Sequence, residues 1–283
     1  MNPRFGRVIT AMITPFNSDG SLDVQGACDL AQWLAEQGNN ALVLAGTTGE
    51  SPTITQDEQI QLVEAVAQAV DIPVIAGAGS NDTRSAITNT QRCEQAGAKG
   101  ILSVTPYYNR PSQAGLYEHY LRISDSTELP IMLYDIPIRT GRKLESETML
   151  RLAEETENIV AVKDAAGDIE ATAELVAQAP DGFEVYSGED ALTLQLLAVG
   201  AVGTVSVASH WTTPETVSLM ESFFSGDLDK AKQINQQLIP SYDFESGDLN
   251  PNPIPTKAMM KVLGLPGGDC RLPMGPEPEG LQE

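Results

Sequence analysis

The apolar run Asn158-Ile159-Val160-Ala161-Val162 delivers a single lysine, Lys163, at its end. A short uninterrupted run of this kind reads as a strand buried on both faces. An ammonium placed there is costly to desolvate. Two readings follow: a strand-end lysine whose amine snorkels to water, or an amine wanted as a neutral nucleophile. Other reactive side chains share this placement. Thr47 and Thr48 follow the run Ala41 to Ala45, and Tyr107 and Tyr108 follow Gly100 to Val104. Tyr134 closes Pro130 to Leu133, Arg139 lies just past it, and Gly188 follows Phe183 to Tyr186. Together these residues supply a nucleophilic amine, phenols for proton transfer, small hydroxyls for a carboxylate and an arginine for a second anion. Singly, each has an ordinary structural explanation: a tight turn, a surface aromatic pair, a core tyrosine, a surface ion pair. Only convergence at one place would distinguish chemistry from coincidence.

The elements predict that convergence. Arg7–Thr14 reads as a first strand, and Val24–Glu36 as a helix with Ala27, Leu30, Ala31 and Leu34 on one face. Strand two is Ala41–Ala45, and Thr55-x-x-Glu58 caps a helix through Ala69. Strands three to five are Pro73–Ala76, Gly100–Val104 and Pro130–Tyr134, with helices at Thr83–Gln95 and Gln113–Ile123. Asp135–Gly141 reads as a loop, Ser146–Glu155 as a helix, and the Lys163 run as strand six. A helix at Ile169–Gln178, a strand at Phe183–Tyr186, a short helix ending near Val199 and a strand at Val202–Val207 complete the alternation. This is the pattern of an α/β (β/α)8 TIM barrel, whose chemistry gathers at the C-terminal ends of the strands. No G-x-G-x-x-G follows the first strand, so a dinucleotide fold lacks its fingerprint. Pro214–Phe224 supplies the closing helix, and Asp227–Ile239 and Thr256–Leu263 exceed what a barrel needs, with a loop at Ser241–Pro255 between them. The expected division is a catalytic barrel, 1–225, and a small C-terminal helical appendage, 226–283. The Pro/Gly-rich last ten residues read as loose.

Composition narrows the function classes. With 39 acidic against 17 basic side chains, the net charge of −22 disfavours nucleic acid and anionic membrane surfaces. An anionic substrate would need a local cationic site. Salt adaptation and an ordinary acidic protein both fit this balance. Cys28, Cys93 and Cys270 are far apart, without C-x-x-C, so neither a disulfide framework nor a zinc site is expected. His119 and His210 are isolated and read as structural or surface residues. The N-terminus has no apolar signal core and no run is long enough to cross a bilayer. A reduced, cytoplasmic setting is expected.

The motifs Gly46-Thr47-Thr48-Gly49-Glu50-Ser51, Val104-Thr105-Pro106-Tyr107-Tyr108-Asn109-Arg110-Pro111, Tyr134-Asp135-Ile136-Pro137-Ile138-Arg139-Thr140-Gly141, Lys163-Asp164-Ala165-Ala166-Gly167-Asp168 and Asn252-Pro253-Ile254-Pro255-Thr256-Lys257 resemble one family. It is the dihydrodipicolinate synthase family, within the lysine-dependent pyruvate aldolases that include N-acetylneuraminate lyase. The resemblance runs through nearly the whole chain. Thr48 and Arg139 point to the synthases over the sugar-acid relatives.

The resemblance implies a lyase of lysine and diaminopimelate biosynthesis that condenses pyruvate with L-aspartate 4-semialdehyde, with no metal or organic cofactor. By it, Lys163 forms an iminium with pyruvate, which makes the pyruvate methyl acidic. Tyr134 transfers protons through a relay with Thr47 and Tyr108, the latter supplied by a neighbouring subunit. Thr48 matches the pyruvate-carboxylate site, Arg139 the site for the semialdehyde carboxylate, and Gly188 and Val205 the pocket lining. A homo-oligomer follows, expected to be a tetramer built as a dimer of dimers. Asp135 and Asp164 depart from the asparagine and glutamate common in relatives, but neither matches a catalytic role. The candidate effector site comprises Ser51, Gln56, Gln59, Asn81, Ser85 and Tyr107. Where lysine-inhibited relatives carry histidines and a glutamate, this chain has Gln56, Gln59 and Ser85, so weak or absent lysine inhibition is expected. The competing readings are another pyruvate aldolase or keto-acid dehydratase on the same scaffold, and a non-catalytic ligand-binding barrel.

Overall fold

The computed structural model describes residues 3–245, 247 and 250–281. Of the expected loop Ser241–Pro255, residues 246, 248 and 249 lie outside the described residues, as do 282 and 283 of the C-terminal stretch and 1 and 2 at the start. The first half of the alternation is β1 (Val8–Ala11), α1 (Val24–Glu36), β2 (Ala41–Leu44), α2 (Gln56–Ala69), β3 (Val74–Gly77), α3 (Thr83–Gln95), β4 (Gly100–Val104) and α4 (Gln113–Ser124). There follow β5 (Ile131–Asp135), a single turn α5 (Pro137–Thr140), α6 (Ser146–Glu155), β6 (Ile159–Asp164), α7 (Ile169–Gln178), β7 (Glu184–Ser187), α8 (Thr193–Ala198) and β8 (Gly203–Ser206). Each strand pairs in parallel with the next and β8 returns to β1, closing a (β/α)8 barrel. After the barrel come α9 (Ser209–Ser225), α10 (Leu228–Glu245) and α11 (Ile254–Val262).

Strand side chains alternate between two buried layers, because successive Cβ atoms point to opposite faces. Val43, Ile75, Leu102 and Met132 fill the barrel interior, while Leu42, Val74, Ile101 and Leu133 pack outward against the helices. Both layers are buried, so the strands read as continuous apolar runs. The helices start where the chain caps them. Thr55 and Glu58 form the expected capping box, and Asp168 accepts from the Ala171 N–H to open α7.

Three expectations change. The loop Asp135–Gly141 contains a helical turn, α5, stopped by Gly141 at a left-handed φ of 71°. Helix α9 starts at Ser209 rather than Pro214 and is kinked at Thr212, two residues before the proline. Helix α10 continues through Pro240 to Glu245, so Ser241–Glu245 is helix and not loop. Packing overrides the breaker: Trp211 donates to the Ser241 hydroxyl at 3.1 Å and stacks edge-on against Phe244. That extra turn has a consequence at the site.

Candidate active site at the barrel mouth

Lys163 owes its direction to an irregularity in β6. Ile131 of β5 pairs with Ile159, but the next residue, Met132, pairs with Ala161. Val160 is therefore an inserted residue, and Val160 and Ala161 both join the interior layer. Parity flips at the insertion. Lys163, two residues beyond Ala161, thereby shares the inward face, and Val162 packs outward. Without the extra residue, the inward alternation from Val160 would have carried Asp164 instead.

The inward amine meets Tyr134, its register partner on β5. Lys163 Nζ lies 4.6 Å from the centre of the Tyr134 ring, and both residues are 5% exposed. On the other side, Gly188 follows β7, where a Cβ would fall 2.9 Å from Cγ and Cε of Lys163. Absence of a side chain at 188 is what lets the lysine stem pass. Lys163, Tyr134 and Gly188 open into a cavity of about 410 Å³ that is also walled by Thr47, Thr48 and Arg139. Thr48 is buried, and its hydroxyl accepts from the Asn252 amide at 2.9 Å. Arg139 comes from α5 and stands on the wall shared with a second cavity.

Two expected residues are not in this cavity. Val205 is buried in the barrel interior opposite Ile9, and the residue on the cavity wall is Val207, just past the end of β8. Tyr108 is 91% exposed, with φ of 74°, and lines neither cavity of its own chain. The departures Asp135 and Asp164 face the helix layer. Asp135 accepts from Lys143 Nζ and the Leu144 N–H, and its burial raises its pKa. Asp164 accepts from the Thr172 hydroxyl and the Ala166 N–H.

The second cavity, of about 360 Å³, brings together Ser51, Gln56, Gln59 and Tyr107 of the candidate effector set, with Thr47 and Arg139. Asn81 stands behind it, donating to the Tyr107 carbonyl at 3.1 Å. Ser85 turns away and donates to Asp82. Gln56 accepts from Arg92 at 2.8 Å and Gln59 donates to the Gly77 carbonyl at 2.8 Å. No carboxylate lines this cavity among the described residues.

The histidines serve packing. His210 Nε2 accepts from the Ile13 N–H, leaving Nδ1–H for the Val207 carbonyl, and burial lowers its pKa to about 4. His119 bonds Thr83 and is lowered by burial to about 4 as well. Both are neutral at pH 7.

Sequence reasoning missed the acidic wall. Glu189, Asp190 and Glu245 line the same cavity as Lys163. Asp190 is fixed by the N–H groups of Val207 and Ala208, at 2.7 and 3.0 Å. Glu245 arrives on the unforeseen last turn of α10 and is buried beside it. Burial, then the charge of Asp190, push its carboxyl up to about 11. The Glu-Asp pair after Gly188 was a legible signal for the first two residues; Glu245 had none, because it lies beyond a proline. The arrangement offers a buried amine and phenol for covalent chemistry, cations and hydroxyls for carboxylates, and one wall of carboxyls.

No described helix is long and apolar enough to cross a membrane. The model of the dihydrodipicolinate synthetase family matches residues 4–283. The 4-hydroxy-tetrahydrodipicolinate synthase of Acidothermus cellulolyticus is 50% identical over 274 residues, covering 95% of this chain and 87% of the relative. The crystal structure of a dihydrodipicolinate synthase from Bacillus anthracis superposes with a TM-score of 0.95 at 42% identity, covering 99% of this chain and 96% of that one. A DHDPS from Cyanidioschyzon merolae, crystallised with lysine bound, superposes with a TM-score of 0.96 at 42% identity, again over 99% and 96% of the two chains. Fold, buried lysine and these likenesses agree, and the chain belongs to the dihydrodipicolinate synthetase family.

Proposed function

We propose that this chain condenses pyruvate with L-aspartate 4-semialdehyde to give 4-hydroxy-tetrahydrodipicolinate, the reaction that names its relatives. The observation that carries this is a buried lysine amine facing a buried phenol across adjacent barrel strands. Lys163 attacks the pyruvate ketone and loses water to form an iminium. The cationic imine draws electrons from the methyl carbon, which gives up a proton and becomes an enamine nucleophile. That carbon adds to the aldehyde, and the substrate's own amine closes the ring and expels Lys163. Tyr134 moves the protons, with Thr47 next along the wall and Tyr108 reaching in from a second copy. Thr48 holds the pyruvate carboxylate, Arg139 the semialdehyde carboxylate, and Gly188 gives the lysine its passage, with Val205 packing beneath. No cofactor enters this scheme.

Tyr108 supports a homo-oligomeric reading. It is a large, almost fully exposed aromatic on a left-handed backbone position, which a free surface does not call for. A dimer completes two sites, and a pair of dimers gives a tetramer. The division into a barrel, 1–225, and a helical subdomain, 226–283, belongs to the same proposal, since Asn252 of the second part braces Thr48 of the first. The setting is the reducing cytoplasm, where the three free thiols are stable.

The test is incubation with pyruvate and borohydride, followed by mass spectrometry. An adduct of reduced pyruvate on Lys163 is expected, and its absence from the protein would overturn the reading. A coupled assay offering aspartate semialdehyde beside N-acetylneuraminate and keto-deoxy sugar acids then fixes the substrate.

A further inference from the structure

Glu245 is 5% exposed, lines the cavity that holds Lys163, and has one oxygen, Oε2, without a hydrogen-bond partner among the described residues. A buried carboxyl at a cavity wall, with one enclosed oxygen unpaired, is costly unless a neighbour or a ligand completes it. Its carboxyl also lies in hydrogen-bonding contact with Asp190, whose own carboxylate is pinned by two backbone N–H groups. Glu189 adds a third carboxyl to the same wall. Among the other polar groups of the cavity, Lys163, Arg139, and Thr48 with its Asn252 brace suit a ketone and carboxylates. A carboxylate ligand on the acidic wall would meet like charge. A donor, and above all a cation, would be drawn there.

We propose that Glu245 is a specificity-determining residue, whose carboxyl, lining the cavity with Asp190 and Glu189, receives the protonated amino group of the second substrate. The inference rests on the reading of that substrate as an amino-aldehyde. It deepens that reading by assigning the acidic wall to the α-ammonium, opposite Arg139. The helical appendage then does more than brace the barrel. By carrying α10 one turn past Pro240, it sets which aldehydes are accepted.

The test compares aspartate semialdehyde, as substrate, with succinate semialdehyde, which lacks only the amine, as inhibitor. Both are measured on the full chain saturated with pyruvate, for the parent and for Glu245→Gln. Loss of a hydrogen bond to a charged group predicts a rise in KM for the amino-aldehyde of about 10- to 100-fold in the variant. The inhibition constant of the amine-free aldehyde and the yield of borohydride-trapped pyruvate on Lys163 stay within about twofold of the parent, a span of less than 0.5 kcal/mol. Where Glu245→Gln traps no pyruvate, Glu245→Asp, which keeps the carboxyl, is measured in its place, and a smaller change in the same direction is expected. Equal losses for the two aldehydes, or no loss for either, would overturn the proposal. A parent that forms no pyruvate adduct would instead sink the underlying function, so the two failures are distinct.

Discussion

Lys163 and Tyr134 are register partners on neighbouring strands, with the amine 4.6 Å from the phenol ring centre. The pair is a product of the inserted Val160, which turns the lysine inward. In the proposed reaction, this proximity makes Tyr134 the group expected to exchange protons with the methyl carbon next to the imine. Tyr134→Phe keeps the ring and its packing and removes only the hydroxyl. We expect kcat to fall by between about 100-fold and 10,000-fold. The Michaelis constant for pyruvate should move far less, because Thr48 and Asn252 are untouched. Steady-state rates with each substrate varied in turn decide this; a variant with parental kcat would remove Tyr134 from the chemistry.

Gly188 presents a steric test of the same amine. A methyl group there falls 2.9 Å from Lys163 Cγ, Lys163 Cε and the Ala165 Cβ. Such contacts lie inside the normal approach of two carbons, so the lysine stem must shift. Small displacement of a nucleophile is enough for a loss of about 100-fold in rate. Gly188→Ala should therefore slow pyruvate trapping, with the melting temperature lowered by no more than about a few degrees. Trapping at the parental rate would mean that the stem has room to spare.

The second cavity bears on regulation. Its polar lining, among the described residues, is made of hydroxyls, amides and Arg139, and the two glutamines already bond Arg92 and Gly77. A free lysine brings two ammonium groups and one carboxylate. With no carboxylate on the wall, an ammonium entering there stays uncompensated, which is unfavourable. We expect lysine to inhibit weakly or not at all. Half-inhibition at micromolar lysine would contradict this, and titration of the initial rate is the measurement.

The barrel was legible because both layers around it are buried and apolar. Runs such as Gly100–Val104 and helices such as Thr83–Gln95 and Ile169–Gln178 stand where the apolar pattern predicts, to the residue. Residues placed by tertiary packing were not legible. Pro240 signals the end of a helix by removing an N–H donor, yet Trp211 and Phe244, far apart in sequence, hold the next turn in place. Glu245 rides on that turn, so no local reading finds it. The inward aim of Lys163 was hidden for a similar reason. The sequence shows that a lysine ends the run, but the face it takes depends on a one-residue slip against β5.

Acid stability should carry the mark of one ion pair. Arg271 Nη2 lies 2.5 Å from Glu58 Oε1, and this hydrogen bond holds the Glu58 carboxyl down at about 2, below its ordinary 4.5. A depressed carboxyl contributes stability that is present above pH 4.5 and is lost as pH falls through about 2. Arg271 also donates to the Thr53 carbonyl, so the pair ties the C-terminal stretch to the start of α2. In Arg271→Gln, the part of the melting-temperature decline between pH 4.5 and 2 that belongs to Glu58 should disappear. Parallel melting curves for parent and variant across that window would deny the pair its role.

A deeper ion pair fixes the threonine loop. Lys257 Nζ lies 2.6 Å from Glu50 Oε1, with side chains 2% and 1% exposed, and Glu50 holds a left-handed backbone. Burial lowers the Lys257 pKa, and the Glu50 carboxylate opposes that shift. Glu50→Gln leaves the ammonium buried without its counter-charge, at a cost of about 3–5 kcal/mol. Adding Lys257→Met removes the stranded charge, so the double variant should regain much of that loss. Pyruvate affinity should not recover with it. Glu50 stands two residues from Thr48, and Lys257 sits on the helix that follows Asn252, so both sides of the Thr48–Asn252 hydrogen bond lose their anchor together. Stability restored with a Michaelis constant for pyruvate still raised is the expected result; recovery of both would leave the pair a purely structural tie.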